Sequence, residues 1–400
     1  MENRTDKWIA AGDQVLMPTY ARFPLVLERG VGATVTDVEG KTYLDFVSGV
    51  AVNALGHCDA KLVKQVQAQA ETLLHVSNLY YNLPQIELAK ILVQHSFADK
   101  VFFCNSGAEA VEAAIKLARR YAKEKMPGER FEIITAKSAF HGRTLAALAA
   151  TGQAKYLAGF APILPGFQQV LFDDVDALAK AVNENTAAVL LEPIQGEGGV
   201  QIPKPGYLAA VREICDEAGI LLILDEVQTG IGRTGHLFAH QATEVVPDIM
   251  STAKGLGGGL PIGAILAKDV VASVFQPGTH ASTFGGNPLV CSAGLAVLNR
   301  LTQSPAFLED VREKGQNLLQ TLKTFQSQCP LITAVRGRGL MIALDLTIPA
   351  AEVIDAALSK GLLLNRTSEK TLRLIPPLTI QQQEIDQMVH ILFEILKAKL

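Results

Sequence analysis

The sequence predicts an α/β protein: a large domain built on a mostly parallel sheet covered by helices, joined to a smaller α+β domain. Three observations carry this. Apolar runs of strand length are continuous rather than alternating, as strands buried on both faces require. They are separated by amphipathic stretches of helical period. The last hundred residues change character, with helices interleaved among short strands.

The strands and helices follow in order. Short strands with turns at Gly32 and Glu39-Gly40 occupy the VLERGVGATVTDVEG and KTYLDF stretches near the start. VFFCN (101–105) reads as a strand, and 108–123 as a helix with Ala110, Ala114, Leu117 and Ala118 at helical spacing. FEIITA (131–136), AAVLLEP (187–193), ILLILDE (220–226) and GAILAK (263–268) supply further strands, with a helix over 206–218. Beyond 287 come helices near 288–300 and 305–327, strands at 340–346, 362–365 and 371–375, a helix near 350–360 and a final helix from Ile380 onward. We expect an N-terminal segment (1–55) packing with the small domain, a large domain (56–286) and a C-terminal small domain (287–400). There is no internal repeat and no low-complexity segment.

Composition narrows the function. Net charge is −4 over 400 residues, which leaves no basic footprint for nucleic acid. Cys58, Cys104, Cys215, Cys291 and Cys329 are odd in number and contain no CxxC pair, which disfavours a zinc site or a disulfide framework and fits a reducing compartment. The histidines form no HExxH or His-x-His pattern, so no metal is expected. No apolar run reaches membrane-span length, and the first residues lack a signal-peptide pattern; a cytoplasmic protein is expected.

Two glycine motifs are discarded. EGKTY lacks the earlier glycine of a phosphate-binding P-loop, since position 35 is Val35. GLGGG (255–259) does not complete GxGxxG, and we assign no strand immediately before it. What remains is a constellation. Asp225 ends an otherwise apolar strand, where ligands of open α/β sheets bind, although capping of the next turn explains it equally well alone. NSGAEA (105–110) places Ser106, Gly107 and Ala108 at a helix N-terminus, a phosphate cradle, with a plain cap closed by Glu109 the simpler reading of that segment alone. Lys254 lies in a slim loop bordered by glycines. A phosphate site, a buried acid and a confined lysine are together what pyridoxal phosphate requires: an aspartate for the ring nitrogen and a lysine that condenses with the aldehyde.

LDEVQTGIGRTG, PDIMSTAKGLGGG, NSGAEAVEAAIKLAR, FHGRT, LEPIQGEGG and STFGGNP stand in this order along the chain. In them the sequence resembles the class III, ornithine-type aminotransferases, pyridoxal-phosphate enzymes of fold type I, from about Tyr20 to about Pro377. HVSNLYYN, ALAATGQAKY and LNRTSEKTLRLIPPL are similar to the N-acetylornithine subgroup.

The resemblance implies roles. Lys254 would bind the cofactor aldehyde and later shuttle a proton. Asp225 would pair with the ring nitrogen, Gln228 would reach the ring hydroxyl, and Phe140 and Val227 would cover the two ring faces. A core role is the plainer reading of Phe140 and Val227. Ser106, Gly107 and Ala108 would hold the phosphate, and Thr283 would reach the phosphate of the neighbouring subunit, making a homodimer. Arg143 and Arg373 would bind substrate carboxylates, each with a surface ion pair as the alternative. Glu197 would cover Arg373 when only one carboxylate is present. Tyr20, Asn78 and Ser282 join the substrate-binding positions. Glu192 is left out of the catalytic set.

The implied reaction is transfer of the amino group of N2-acetyl-L-ornithine to 2-oxoglutarate in a ping-pong cycle, in arginine biosynthesis. Ornithine, succinylornithine, succinyl-diaminopimelate or 4-aminobutyrate are alternative amine donors. A mutase or decarboxylase of the same class, and a non-catalytic binding relative, are further alternatives. Retention of Lys254, Asp225 and both arginines argues against the last.

Overall fold

The computed structural model describes residues 4–400. Seven strands form the central sheet, in the spatial order Lys100–Cys104, Gly263–Ala267, Ile249–Thr252, Leu221–Asp225, Thr186–Leu191, Glu132–Ala136 and Phe167–Val170. All neighbouring pairs are parallel except those made by Gly263–Ala267, which runs antiparallel to both its neighbours. Every residue of Thr186–Leu191 and Leu221–Asp225 is buried, because helices cover both faces.

The helix Gly107–Lys125 shows why the layers pack closely. Its buried face is rich in alanine, with Ala110, Ala113, Ala114 and Ala118. Small side chains let the helix axis approach the sheet. Ser106 caps it by accepting from Glu109 N at 3.2 Å, and Lys123 and Lys125 sit in the last turn, where the helix dipole favours cations. The helix Tyr207–Ala218 ends at Gly219, whose φ of 62° is the left-handed conformation that glycine adopts without strain.

Two smaller sheets flank this one. Ile332–Arg338, Met341–Leu346, Thr371–Leu374 and Asn365–Arg366 pair antiparallel in that order. The N-terminal strands Leu27–Val31, Thr34–Asp37 and Thr42–Asp45 form a meander whose last strand pairs in parallel with Leu362–Leu363, so the two ends of the chain share one sheet.

One expectation is corrected. A strand, Ile249–Thr252, does immediately precede the lysine–glycine loop. It has only four residues, buried on both faces, too short for a period to be read. The loop after it turns through a short 3-10 segment, Lys254–Gly257, not a helix of the dinucleotide-binding kind. The polar strand Phe167–Val170 also escaped the sequence reading, since it lies at the sheet edge and only Val170 is buried.

Candidate active site

The parallel strands all deliver their C-terminal ends to one side of the sheet, and a cavity of about 250 Å³ opens there. It is lined by Gly107, Ala108, Phe140, His141, Gly142, Arg143, Glu192, Glu197, Asp225, Val227, Gln228 and Lys254. Chain topology thus gathers residues that are far apart in sequence.

Asp225 is the last residue of its strand and is buried. Its Oδ1 accepts from Val227 N at 3.0 Å and from Ser251 Oγ at 3.1 Å. Its Oδ2 accepts from His141 Nδ1 at 2.7 Å. Burial alone would push the His141 imidazolium toward its neutral form. The Asp225 hydrogen bond and the charges of Asp225 and Glu192 outweigh burial and hold the pKa above the ordinary value. His141 Nε2 is buried without a partner among the described residues. Glu192, just past the end of Thr186–Leu191, accepts from Phe140 N and Gly196 N, each at 3.1 Å. Burial pushes its carboxyl up to about 7, against the His141 charge.

Lys254 follows its strand by two residues and holds a φ of 43°, an uncommon conformation for a residue with a Cβ. Desolvation lowers its pKa; the Glu197 carboxylate opposes this, while the Arg373 charge adds to it. A lowered pKa is what an amine nucleophile needs.

The far wall carries a polar cluster. Arg373 Nη1 donates to Glu197 Oε1 at 2.6 Å and to Gln228 Oε1 at 3.0 Å, and Gln228 Nε2 donates to Glu197 Oε1 at 3.2 Å. Arg373 is only 1% exposed. Burial would raise the Glu197 carboxyl, but the Arg373 and Lys254 charges hold it below its usual range. Arg143 is exposed at the cavity mouth, its guanidinium 3.9 Å from the centre of the Tyr156 ring and 5.6 Å from that of Phe140.

The remaining predicted residues lie elsewhere. Ser106 is exposed at the helix cap. Thr283 is exposed, and Ser282 Oγ accepts from Asn105 Nδ2 and Gly285 N. The Asn78 amide is engaged within the chain, donating to Ser282 O and Gly285 O and accepting from Gln85 Nε2. Tyr20 is 74% exposed, with Arg22 over its ring. None of these lines the cavity. Sequence reasoning passed over His141, although it lies within the FHGRT stretch, and set Glu192 aside. A single histidine or glutamate carries no spacing signal; burial and partners identify both.

The cavity fits pyridoxal phosphate. A Cβ on Gly107 would stand 2.6 Å from Val227 Cγ1, and one on Gly142 2.8 Å from Ala108 Cβ, so bare backbone is required where a phosphate would approach. Asp225 is anchored on the cavity wall as an acceptor for a protonated ring nitrogen, and the amine of Lys254 lines the same space.

Fold and site together define an aminotransferase of the pyridoxal-phosphate type, and the chain belongs to the class-III aminotransferases, whose family model matches residues 16–396. It is 55% identical over 382 residues to the acetylornithine aminotransferase of Caldanaerobacter subterraneus subsp. tengcongensis, covering 95% of this chain and 97% of that one. Identity to the acetylornithine aminotransferase of Methanocaldococcus jannaschii is 47%, with 98% of each covered. Among solved structures, the ornithine aminotransferase of Toxoplasma gondii superposes with a TM-score of 0.95 at 35% identity, covering 99% of this chain and 95% of that one. The acetylornithine aminotransferase of Elizabethkingia anophelis superposes with a TM-score of 0.90 at 35% identity, covering 100% of both chains. The expected α/β fold, the aminotransferase class and dependence on pyridoxal phosphate therefore hold.

Proposed function

We propose that this chain transfers the δ-amino group of N2-acetyl-L-ornithine to 2-oxoglutarate, giving N-acetyl-L-glutamate 5-semialdehyde and L-glutamate, in arginine biosynthesis. The observation that carries this is the Glu197–Arg373 pair at 2.6 Å, set behind an exposed Arg143. A two-substrate enzyme must accept acetylornithine, with one carboxylate remote from the reacting amine, and then glutamate, with two. Arg143 serves the carboxylate common to both. Arg373 is neutralised by Glu197 for the first substrate and uncovered for the second. The names of the relatives support the same substrate.

When bound, pyridoxal phosphate supplies an aldehyde that condenses with amines and a ring that accepts electrons. Gly107 and Ala108, which line the cavity, would hold its phosphate with Ser106 beside them at the helix cap, Asp225 its ring nitrogen, and Phe140 and Val227 its two faces. Gln228 stands beside Glu197 and Arg373, near enough to follow any change in that pair. Lys254 Nζ, whose pKa burial lowers, would take the proton from the substrate carbon that bears the amine. Asp225, held in place by His141 Nδ1, would offer the ring nitrogen an acceptor.

The reading includes a homodimer. Leu79 and Tyr81 are 84% and 94% exposed, and Phe284 is exposed beside Thr283. Asn78 and Asn82 tie these two segments together by donating to Ser282 O, Gly285 O and Gly286 O. Such an apolar surface is what a second copy would cover, and it would bring Thr283 to the neighbouring site. Tyr20, Asn78 and Ser282 would then contribute from that interface. A cytoplasmic location accompanies the reading: the five cysteines are all free, and no described helix is long and apolar enough to cross a membrane.

Free ornithine as the amine donor is the second reading, supported by the superposition on the Toxoplasma gondii enzyme. The test is a half-reaction. The cofactor-loaded protein is mixed separately with N-acetyl-L-ornithine, L-ornithine and 4-aminobutyrate, and loss of the visible cofactor band is followed. Fastest conversion with N-acetyl-L-ornithine supports the first reading; faster conversion with either other amine overturns it.

A further inference from the structure

Glu197 sits in a loop whose backbone is held out of its preferred conformations. Gly199 has a φ of 104° and Val200 a φ of 53°. A β-branched residue in the left-handed region is an outlier that its surroundings must enforce. The base of the loop is closed by reciprocal backbone hydrogen bonds between Gln195 and Gln201, at 3.1 and 3.0 Å, so the strain is confined to the residues between them.

The enforcing group comes from another part of the chain. Arg336, on the strand Ile332–Arg338, donates from Nε to Gly199 O at 2.9 Å and to Val200 O at 3.2 Å, and from Nη2 to Gly199 O at 2.6 Å. Its other edge forms a two-point pair with Asp345, at 2.6 Å from Nη1 to Oδ2 and 3.1 Å from Nη2 to Oδ1. Thr371 Oγ1 donates to the same carboxylate at 2.7 Å. Burial would raise the Asp345 carboxyl, but Arg336 and Thr371 hold it below its usual range, so it stays a charged anchor. Thr371 lies two residues before Arg373 on one strand, where alternate residues share a face. One guanidinium–carboxylate pair therefore grips both the loop that carries Glu197 and the strand that carries Arg373. Beneath it, Val200, Ile194, Met341, Ala343 and Ile375 share one apolar cluster.

We propose that Arg336 is a positioning residue: by gripping the carbonyls of Gly199 and Val200 it holds Glu197 against Arg373 and sets how readily Arg373 is uncovered for a dicarboxylate substrate. This rests on the gate reading of Glu197 and Arg373 given above. Arg336 itself does not line the cavity. Without its fork the strained loop relaxes, Glu197 withdraws, and glutamate gains relative to acetylornithine. A lysine keeps the charge but cannot hold two carbonyls and two carboxylate oxygens at once.

The test measures kcat/KM for the L-glutamate and N-acetyl-L-ornithine half-reactions in Arg336→Ala, Arg336→Lys, Glu197→Ala and the Arg336→Ala, Glu197→Ala double variant. Arg336→Ala is expected to shift the ratio toward glutamate by about 10-fold, the scale of a lost charged hydrogen bond. Arg336→Lys should give a smaller shift, and the double variant no more than Glu197→Ala alone. Equal loss in both half-reactions, or additive shifts in the double variant, overturns the proposal. A ratio unmoved by Glu197→Ala overturns the gate and this proposal with it. A ratio moved by Glu197→Ala but not by Arg336→Ala overturns the role of Arg336 alone. The second readout is amide hydrogen exchange of the holoenzyme. Faster exchange over residues 196–201, with the strand 221–225 unchanged, supports the role, and unchanged exchange over 196–201 overturns it. Should Arg336→Ala not fold, Arg336→Lys carries both readouts.

Discussion

His141 Nδ1 donates to Asp225 Oδ2 at 2.7 Å, with neither side chain in contact with solvent beyond 3%. A carboxylate buried this deeply depends on its partner. Replacing His141 with leucine leaves Asp225 Oδ2 without the hydrogen bond or the charge. Stability should fall by about 3 kcal/mol, the usual cost of stranding a buried charge. Denaturant unfolding of the cofactor-free protein measures it, and a change below about 1 kcal/mol would show that Asp225 is satisfied from elsewhere.

Lys254→Ala should abolish amino transfer while leaving the fold intact, since Lys254 lines the cavity and is not part of the buried core. We expect kcat to drop at least about 1,000-fold, the range of a lost general acid–base group and nucleophile. Far-UV circular dichroism should be unchanged.

Gly107→Ala places a Cβ 2.6 Å from Val227 Cγ1. The helix N-terminus must shift, and affinity for pyridoxal phosphate should weaken about 10-fold, as overpacking of this order costs. Val227→Ala opens the space at the cost of its own contact with the ring, so in that background the added Gly107→Ala should cost little further affinity. Equilibrium titration of the cofactor-free protein gives the affinities; an equal loss from Gly107→Ala with and without Val227→Ala would place the strain elsewhere.

Glu192 gives the protein a pH signature. Its carboxyl rises from an ordinary 4.5 to about 7 on folding, chiefly through burial. The folded state therefore holds the proton that the unfolded chain has released between these values. Stability contributed by this group is full below about 4.5 and is lost as pH rises through about 7. Glu192→Gln cannot ionise, so the fall in stability across that window should flatten. Unfolding midpoints of the two proteins at several pH values decide this, and parallel pH profiles would count against it.

Much of the fold was legible because strands buried on both faces leave continuous apolar runs, and the strands at 187–193 and 220–226 are of this kind. Ile249–Thr252 was not, being too short to show a period, and Phe167–Val170 reads as polar because an edge strand buries little. In the site, Lys254, Asp225 and the Ser106–Ala108 turn stand in motifs whose chemistry is local: a confined amine, an acid at a strand end, free N–H groups at a helix start. His141 and Glu192 are isolated residues whose importance lies in burial and in each other's charge.

By itself, then, the sequence determined the α/β architecture and the class of cofactor, because hydrophobic period and motif chemistry are properties of neighbouring residues. Only the tertiary structure decided that Arg373 is buried rather than in a surface ion pair, that Gln228 bridges it to Glu197, and that Arg336 grips the loop from 137 positions away. Those contacts join segments that chain order keeps apart, and a buried charge acquires its partner only when the two strands and the loop are packed together.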